Sequence, residues 1–432
     1  MNIDVNYKNK KRYKTAKYPI RQPIALTWLI SALCKIDLMG KKYKVEKINM
    51  EGLKPPYMML SNHMHFIDFK LAALGTFPYR VNNVVSIDGF YRRPWLLELI
   101  GAICTRKFTM DLHLVKSINK VLKRGDILSM YPEARYSPCG VTSYMPEALG
   151  KLIKMNKCPV VVVVHRGNHL RAPFWNWRDK RNVPHHTTMT QILTADQVKA
   201  MSVDEINKAV RDAMQYDDYQ YQKDNNILIK SNVRAEGLHK VLYKCPHCMA
   251  EEMSSEGSDI FCKKCGKRWT WHDNGYLEAA EGETEFDHIP DWFEWERLQV
   301  RKEVESGEYS FSDEVDVYSF PRCWKFEPLG KARLTHDVNN GFIIDGFYNG
   351  EKYHIQREPS QINSLHVEYD YAYLKNQDVY DISTENDSFY CYSTKPNVLT
   401  KLAFATEEIY RLNMEKVKES KSLSRSKQGQ EK

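Results

Sequence analysis

Residues 159–164 read PVVVVV, a run in which every position after the proline is apolar and β-branched. Nothing in it alternates, so neither face of such a strand meets water. That pattern belongs to a strand buried on both sides in a sheet covered by helices. The residues around it keep the same rhythm. Further strands are predicted at 57–60 (YMML), 83–86 (NVVS) and 126–131 (DILSMY), and helices at 66–74, 94–100, 114–122 and 146–155. Ser202 and Glu205 form a capping box ahead of an amphipathic helix that reaches 214. Residues 40–235 therefore read as an α/β domain, a mixed sheet covered by helices.

The chain has 432 residues, more than one compact core holds, and its pattern changes after this domain. Residues 240–275 contain paired cysteines, and 276–315 form an acidic linker followed by a helix rich in Trp and Glu. Residues 316–415 alternate, with many aromatics and turn signals at 339–341 (NNG) and 349–350 (NG). Strands are predicted there at 342–347, 352–356, 365–367 and 389–392, with a closing helix over 398–412. Several strands capped by one helix resemble a pleckstrin-homology-like barrel. Residues 416–432 are basic and Ser-rich, the composition of a disordered tail.

Charge divides the chain. Residues 1–200 carry +20 and residues 201–432 carry −12, together the formal net charge of +8. A basic front half suits an anionic surface or ligand. The mean hydropathy of −0.57 argues against a polytopic membrane protein. The best apolar run, 24–33 (IALTWLISAL), falls far short of the roughly 20 residues that span a bilayer. Residues 1–39 read instead as a basic, amphipathic segment that lies on a membrane, with Ile24, Leu26, Trp28, Leu29 and Leu33 among Lys17, Arg21, Lys35, Lys41 and Lys42. Residues 1–18 are polar and Lys-rich and do not read as a cleavable signal peptide. Four of the ten cysteines cluster and six are scattered, which suits a reducing cytoplasm.

Chemistry enters at residues 61–70, SNHMHFIDFK. His63 follows a predicted strand directly, and Asp68 stands five residues on, near the start of a helix. A carboxylate that accepts from one imidazole nitrogen fixes the tautomer and raises the basicity of the other, which can then deprotonate a hydroxyl. His65 is out of register with this arrangement. An H-x4-D pair alone is a common pattern, but two more strand ends accompany it: YPEARYSPCG from Tyr131, and HRGNH from His165. Charged residues at successive strand ends of one sheet converge on a single edge.

With these blocks in this order, residues 40–215 resemble the glycerophosphate and lysophosphatidate acyltransferase family. The resemblance implies that His63 is a general base supported by Asp68, and that Glu133 and Arg135 bind the acceptor. It also implies that Lys107, with Arg106 beside it, contacts phosphate. The family's glycine after the glutamate is Ala134 here, and Tyr136 occupies the usual arginine position. The implied reaction moves a fatty acyl group from acyl-CoA or an acyl carrier protein to a lysophospholipid hydroxyl, such as that of 1-acylglycerol 3-phosphate. The place would be the cytoplasmic face of a membrane. A non-catalytic lipid-binding or scaffolding protein is the alternative.

Cys245-Pro-His-Cys248 and Cys262-Lys-Lys-Cys265 carry the spacing of two metal knuckles. Two such turns complete a tetrahedral thiolate shell suited to zinc, and a module this small relies on the metal to fold. His247 and His272 read as neighbours, not ligands. Lys263, Lys264, Lys267, Arg268, Trp269 and Trp271 would suit nucleic acid, but the flanks are acidic. The ribbon reads instead as a contact for a protein partner, or as a device that orients the C-terminal domain.

Overall fold

The computed structural model describes residues 13–430, with side chains as far as Ser420. Lys8, Lys10, Lys11 and Arg12 of the basic front block lie outside the described residues. The first sheet holds seven strands: β1 (Tyr43–Ile48), β2 (Met58–Ser61), β3 (Val81–Ser86), β4 (Ile103–Thr105), β5 (Ile127–Met130), β6 (Val160–Arg166) and β7 (His185–Leu193). Their order is β1-β7-β6-β2-β5-β3-β4. All neighbours are parallel except β6 and β7.

The valine run lies inside this sheet, and its period of two sorts it between two cores. Val160, Val162 and Val164 join Met58, Leu60, Ile118, Ile153 and Ile206 on one face. Val161 and Val163 join Tyr57, Met59, Ala72 and Met189 on the other. The parallel register places Ser61, Met130 and Arg166 at one edge. Residues that follow β2, β5 and β6 therefore meet there. Strands β1, β4 and β7 were not expected. In β7 small polar residues such as Thr188 and Thr190 sit at partly exposed positions between buried His185, Thr187 and Met189, so its hydrophobic signal is weak.

The cysteine module is a four-stranded antiparallel sheet of β8 (Met253–Glu256), β9 (Asp259–Cys262), β10 (Arg268–Trp271) and β11 (Leu277–Ala279). Its last strand lies beyond the expected end at 275. After the helix Ile289–Glu305 come β12 (Ser310–Arg322), β13 (Lys325–Asp337), β14 (Gly341–Tyr348), β15 (Glu351–Arg357), β16 (His366–Glu368), β17 (Val379–Ser383) and β18 (Ser388–Ser393). They form one antiparallel sheet in the order β15-β14-β13-β12-β18-β17-β16. It begins at Ser310, ahead of the expected 316.

The final helix runs from Leu399 to Gln430, past the predicted end at 412 and through most of the segment expected to be disordered. Its first half packs on the helix Ile289–Glu305 through Phe404 against Phe293 and the Arg301–Glu408 ion pair. The ribbon, this helix pair and the last sheet share one apolar core, which also takes in Leu170, Trp175 and Tyr219 of the first domain. Among the described residues, no helix is long and apolar enough to cross a membrane.

Candidate active site

His63 and Asp68 meet as their spacing predicts, with Nδ1 of His63 3.1 Å from Oδ2 of Asp68. The same carboxylate oxygen accepts the backbone N–H groups of Met64 at 2.7 Å and His65 at 2.9 Å. Its other oxygen accepts from Asn168 Nδ2 at 2.6 Å. Asp68 is fully buried. Burial opposes its ionisation, but the bond from His63, the nearby His165 and the backbone donors hold its carboxyl well below the usual range. As an anion it accepts only, so Nδ1 of His63 carries the proton and Nε2 is left basic. Burial lowers the His63 pKa and Asp68 opposes that shift, so the ring is neutral at pH 7.

The position of His63 is set from both sides. Asn62, at the end of β2, donates to the His165 carbonyl at 3.0 Å and accepts the His165 N–H at 2.8 Å. This fastens the loop to β6. Asn168 passes the network on to His185, whose Nδ1 is 2.6 Å from its Oδ1. His65 is not part of the site; its Nδ1 accepts the Ile67 N–H at 3.2 Å. Asn62 stood inside the quoted block, but the role of Asn168, a hundred residues away, had no local signal.

The loop after β5 wraps the imidazole. Tyr131 stacks on it with centroids 3.8 Å apart, and Tyr136 lies 4.2 Å away on a tilted ring. The Ser137 N–H donates to the His63 carbonyl at 2.7 Å. The turn requires Ala134 at φ 54°, a left-handed conformation that favours glycine. That is the physical reason a glycine suits this position. Neither tyrosine was singled out in the sequence as a neighbour of His63.

The four residues expected to bind the acceptor do not line an open pocket. Glu133 is buried; its Oε2 accepts the Ser143 N–H at 3.0 Å and the Tyr216 hydroxyl at 3.1 Å. Burial pushes its carboxyl up to about 7. Arg135 is also buried and pairs with Glu407 of the last helix, Nη2 to Oε1 2.6 Å. It props the loop against the C-terminal domain. Arg106 reaches into that domain too, donating to Ser388 Oγ at 3.3 Å and the Asn386 carbonyl at 3.1 Å. Lys107 is near enough for its charge to act on His63, and its ammonium stands 4.0 Å from Asp88 and 2.5 Å from His366 Nε2.

The four cysteines converge. Cys245 and Cys265 sulfurs are 3.8 Å apart, and those of Cys248 and Cys262 are 3.7 Å apart. All four lie within 4.8 Å of one another. Four sulfurs about 2.3 Å from a tetrahedral metal stand about 3.8 Å apart, so the set fits zinc. His247 and His272 face Glu285 and Glu278. Trp269 and Trp271 are buried and are withdrawn from any stacking role with bases. Trp271 packs near Trp175 and beneath the Arg181 guanidinium, which fixes the ribbon to the first domain.

The N-terminal helix Ile24–Asp37 is inverted. Its buried residues are Thr27, Ser31 and Cys34, whereas Trp28, Leu33 and Ile36 are each more than half exposed. Asp37 binds Lys70 at 2.6 Å, and the Lys70 ammonium lies over the exposed Phe66 ring. The ion pair ties this helix to the one that carries Asp68, ahead of which Phe66 is also exposed.

No family model matches the chain and no curated protein matches it. Among solved structures, the 1-acyl-sn-glycerophosphate (LPA) acyltransferase PlsC from Thermotoga maritima aligns at 14% identity, with a TM-score of 0.36. The alignment covers 44% of this chain and 78% of that one. A likeness of that size carries no argument about function, which rests on the geometry of the His63 site.

Proposed function

We propose that this chain is an acyltransferase working at a membrane surface, with an acyl thioester as donor and a lipid hydroxyl as acceptor. The observation that carries the proposal is the His63–Asp68 pair: Nδ1 is committed to a buried carboxylate, and Nε2 has no hydrogen-bond partner among the described residues. In the proposed reaction Nε2 takes the hydroxyl proton as the oxygen attacks the thioester carbonyl. Collapse of the tetrahedral intermediate breaks the C–S bond, and the imidazolium returns its proton to the departing thiolate. Asp68 holds the ring's orientation and stabilises the imidazolium. The products are an ester and a free thiol. Acyl-CoA and an acyl carrier protein both suit the donor role, and a lysophospholipid suits the acceptor role.

Membrane docking is supported by the inverted N-terminal helix. Its exposed Trp28, Leu33 and Ile36 would enter the lipid interface while Lys35 and Lys42 meet anionic headgroups. We place this work at the cytoplasmic face of a membrane. The cysteine cluster is proposed as a structural zinc site that orients the C-terminal domain. Incubation of the purified chain with acyl-CoA and mixed lysolipids, read by lipid mass spectrometry, tests the reading. A diacyl product with stoichiometric thiol release supports it. Lipid binding without any acyl product would instead favour a non-catalytic scaffold.

A further inference from the structure

We infer that the acceptor presents an uncharged or ammonium-bearing head, not a phosphate monoester, to a site that the C-terminal domain completes with Glu368. This inference rests on the acyl-transfer reading above. Phosphate recognition needs cations with free N–H groups. Of the three cations expected to bind the acceptor, two are withdrawn from it: Arg106 is 4% exposed and Arg135 3%. Both are held by Asn386, Ser388 and Glu407 of the C-terminal domain.

Lys107 is left, and carboxylates surround it. Asp88 lies 4.0 Å from its ammonium. Glu368 Oε1 is 3.2 Å from His366 Nε2, the nitrogen that Lys107 also meets. The charge of Glu368 acts on both His63 and Tyr136, and that of Asp88 acts on Tyr136. Burial and Lys107 oppose protonation of His366, but Asp381 and Glu368 overcome them and push its pKa up to about 9. The Lys107 ammonium and the His366 imidazolium are thus already matched by Asp88, Glu368 and Asp381. A dianionic phosphate finds no unmatched cation there, whereas a hydroxyl or ammonium head finds acceptors. Asp88, His366 and Glu368 also bring three ligand atoms within 4.8 Å, but the Lys107 ammonium, 2.5 Å from His366 Nε2 and 4.0 Å from Asp88, competes with a metal cation for them.

The test uses the full chain in mixed micelles with acyl-CoA and three acceptors of one chain length: 1-acylglycerol 3-phosphate, monoacylglycerol and lysophosphatidylethanolamine. We expect kcat/KM for one of the last two to exceed that for the phosphate acceptor at least tenfold. Whichever leads separates a polyol from an ammonium head. Glu368→Gln should narrow the ratio by raising use of the phosphate acceptor. Equal or better turnover of 1-acylglycerol 3-phosphate by the native chain overturns the inference while leaving acyl transfer standing. If no acceptor turns over, the acyl-transfer reading fails. The head preference is then read from 1-acylglycerol 3-phosphate binding, in which contacts outside the site cancel between the native chain and Glu368→Gln. Equal affinity of the two overturns the inference; at least threefold tighter binding by Glu368→Gln supports it.

Discussion

Replacing Arg135 by Ala should cost stability and leave acceptor affinity nearly unchanged. The guanidinium lies 2.6 Å from Glu407 with both side chains almost fully buried. At an effective dielectric near 20 that separation corresponds to about 6 kcal/mol of attraction. Desolvation of the two ions offsets most of it, so the intact pair contributes little net. Removal of one partner is different, because it leaves a buried charge and costs about 3–5 kcal/mol. Glu407 keeps Arg297 at 2.5 Å and the Ser364 hydroxyl at 2.7 Å, which puts Arg135→Ala near about 3 kcal/mol. Glu407→Ala strands the Arg135 guanidinium, whereas Arg297 keeps Glu294 at 3.2 Å and Glu408 at 3.9 Å, so its cost should also be about 3–5 kcal/mol. For a folding unit of about 150–250 residues, such as the ribbon with the last sheet and its two helices, about 3 kcal/mol lowers the melting midpoint by roughly 6–12 °C. Thermal melts followed by circular dichroism measure that loss, and KM for the acceptor at low temperature measures the contact. A midpoint within about 1 °C of the native chain, with KM raised tenfold, would refute the assignment of Arg135 as an interdomain prop.

Ala134→Gly should raise stability by up to about 1 kcal/mol and change turnover less than twofold. The left-handed φ of 54° costs an L-residue roughly 1–2 kcal/mol, against about 0.5–1 kcal/mol for glycine's freedom in the unfolded chain. Metal analysis should find about one zinc per chain. Cys262→Ser should lose it and shift tryptophan emission to the red as Trp269 and Trp271 meet water; unchanged metal content and emission would contradict the thiolate site. The pH profile follows from His63: only the neutral ring is a base, and burial places its pKa below 6.5. Activity should therefore be flat above about pH 6.5 and fall toward acid. Asp68→Asn should lower kcat about 100-fold or more and move the acid limb further down, since it removes the charge that supports protonation. A limb centred above pH 7 would contradict this.

What the sequence made legible was local. PVVVVV announced a strand buried on both faces, His63 and Asp68 lay on one strand–helix turn, and each pair of cysteines needed only a four-residue span. What stayed hidden depended on distance along the chain. Asn168 joins Asp68 from a hundred residues away, and Arg106 and Arg135 find their partners more than 200 residues downstream. A cation that binds phosphate and one that anchors a second domain look alike until that domain is in place. Strand β7 was missed because its polar residues carry almost no apolar alternation. Trp269 and Trp271 suggested a surface for bases, yet the shared core takes both inside. The last helix outran its prediction because its C-terminal half carries few apolar residues to mark a buried face.

The proposed acyl transfer turns on the basic nitrogen of His63. Steady-state acyl transfer by His63→Ala, compared with the native chain under one donor and the best acceptor, tests it most directly. The predicted result is a kcat lower by about 10²–10⁴-fold, with the far-ultraviolet circular dichroism and vesicle binding of the native chain. Turnover within a few-fold of native would contradict the assignment of His63 as the base.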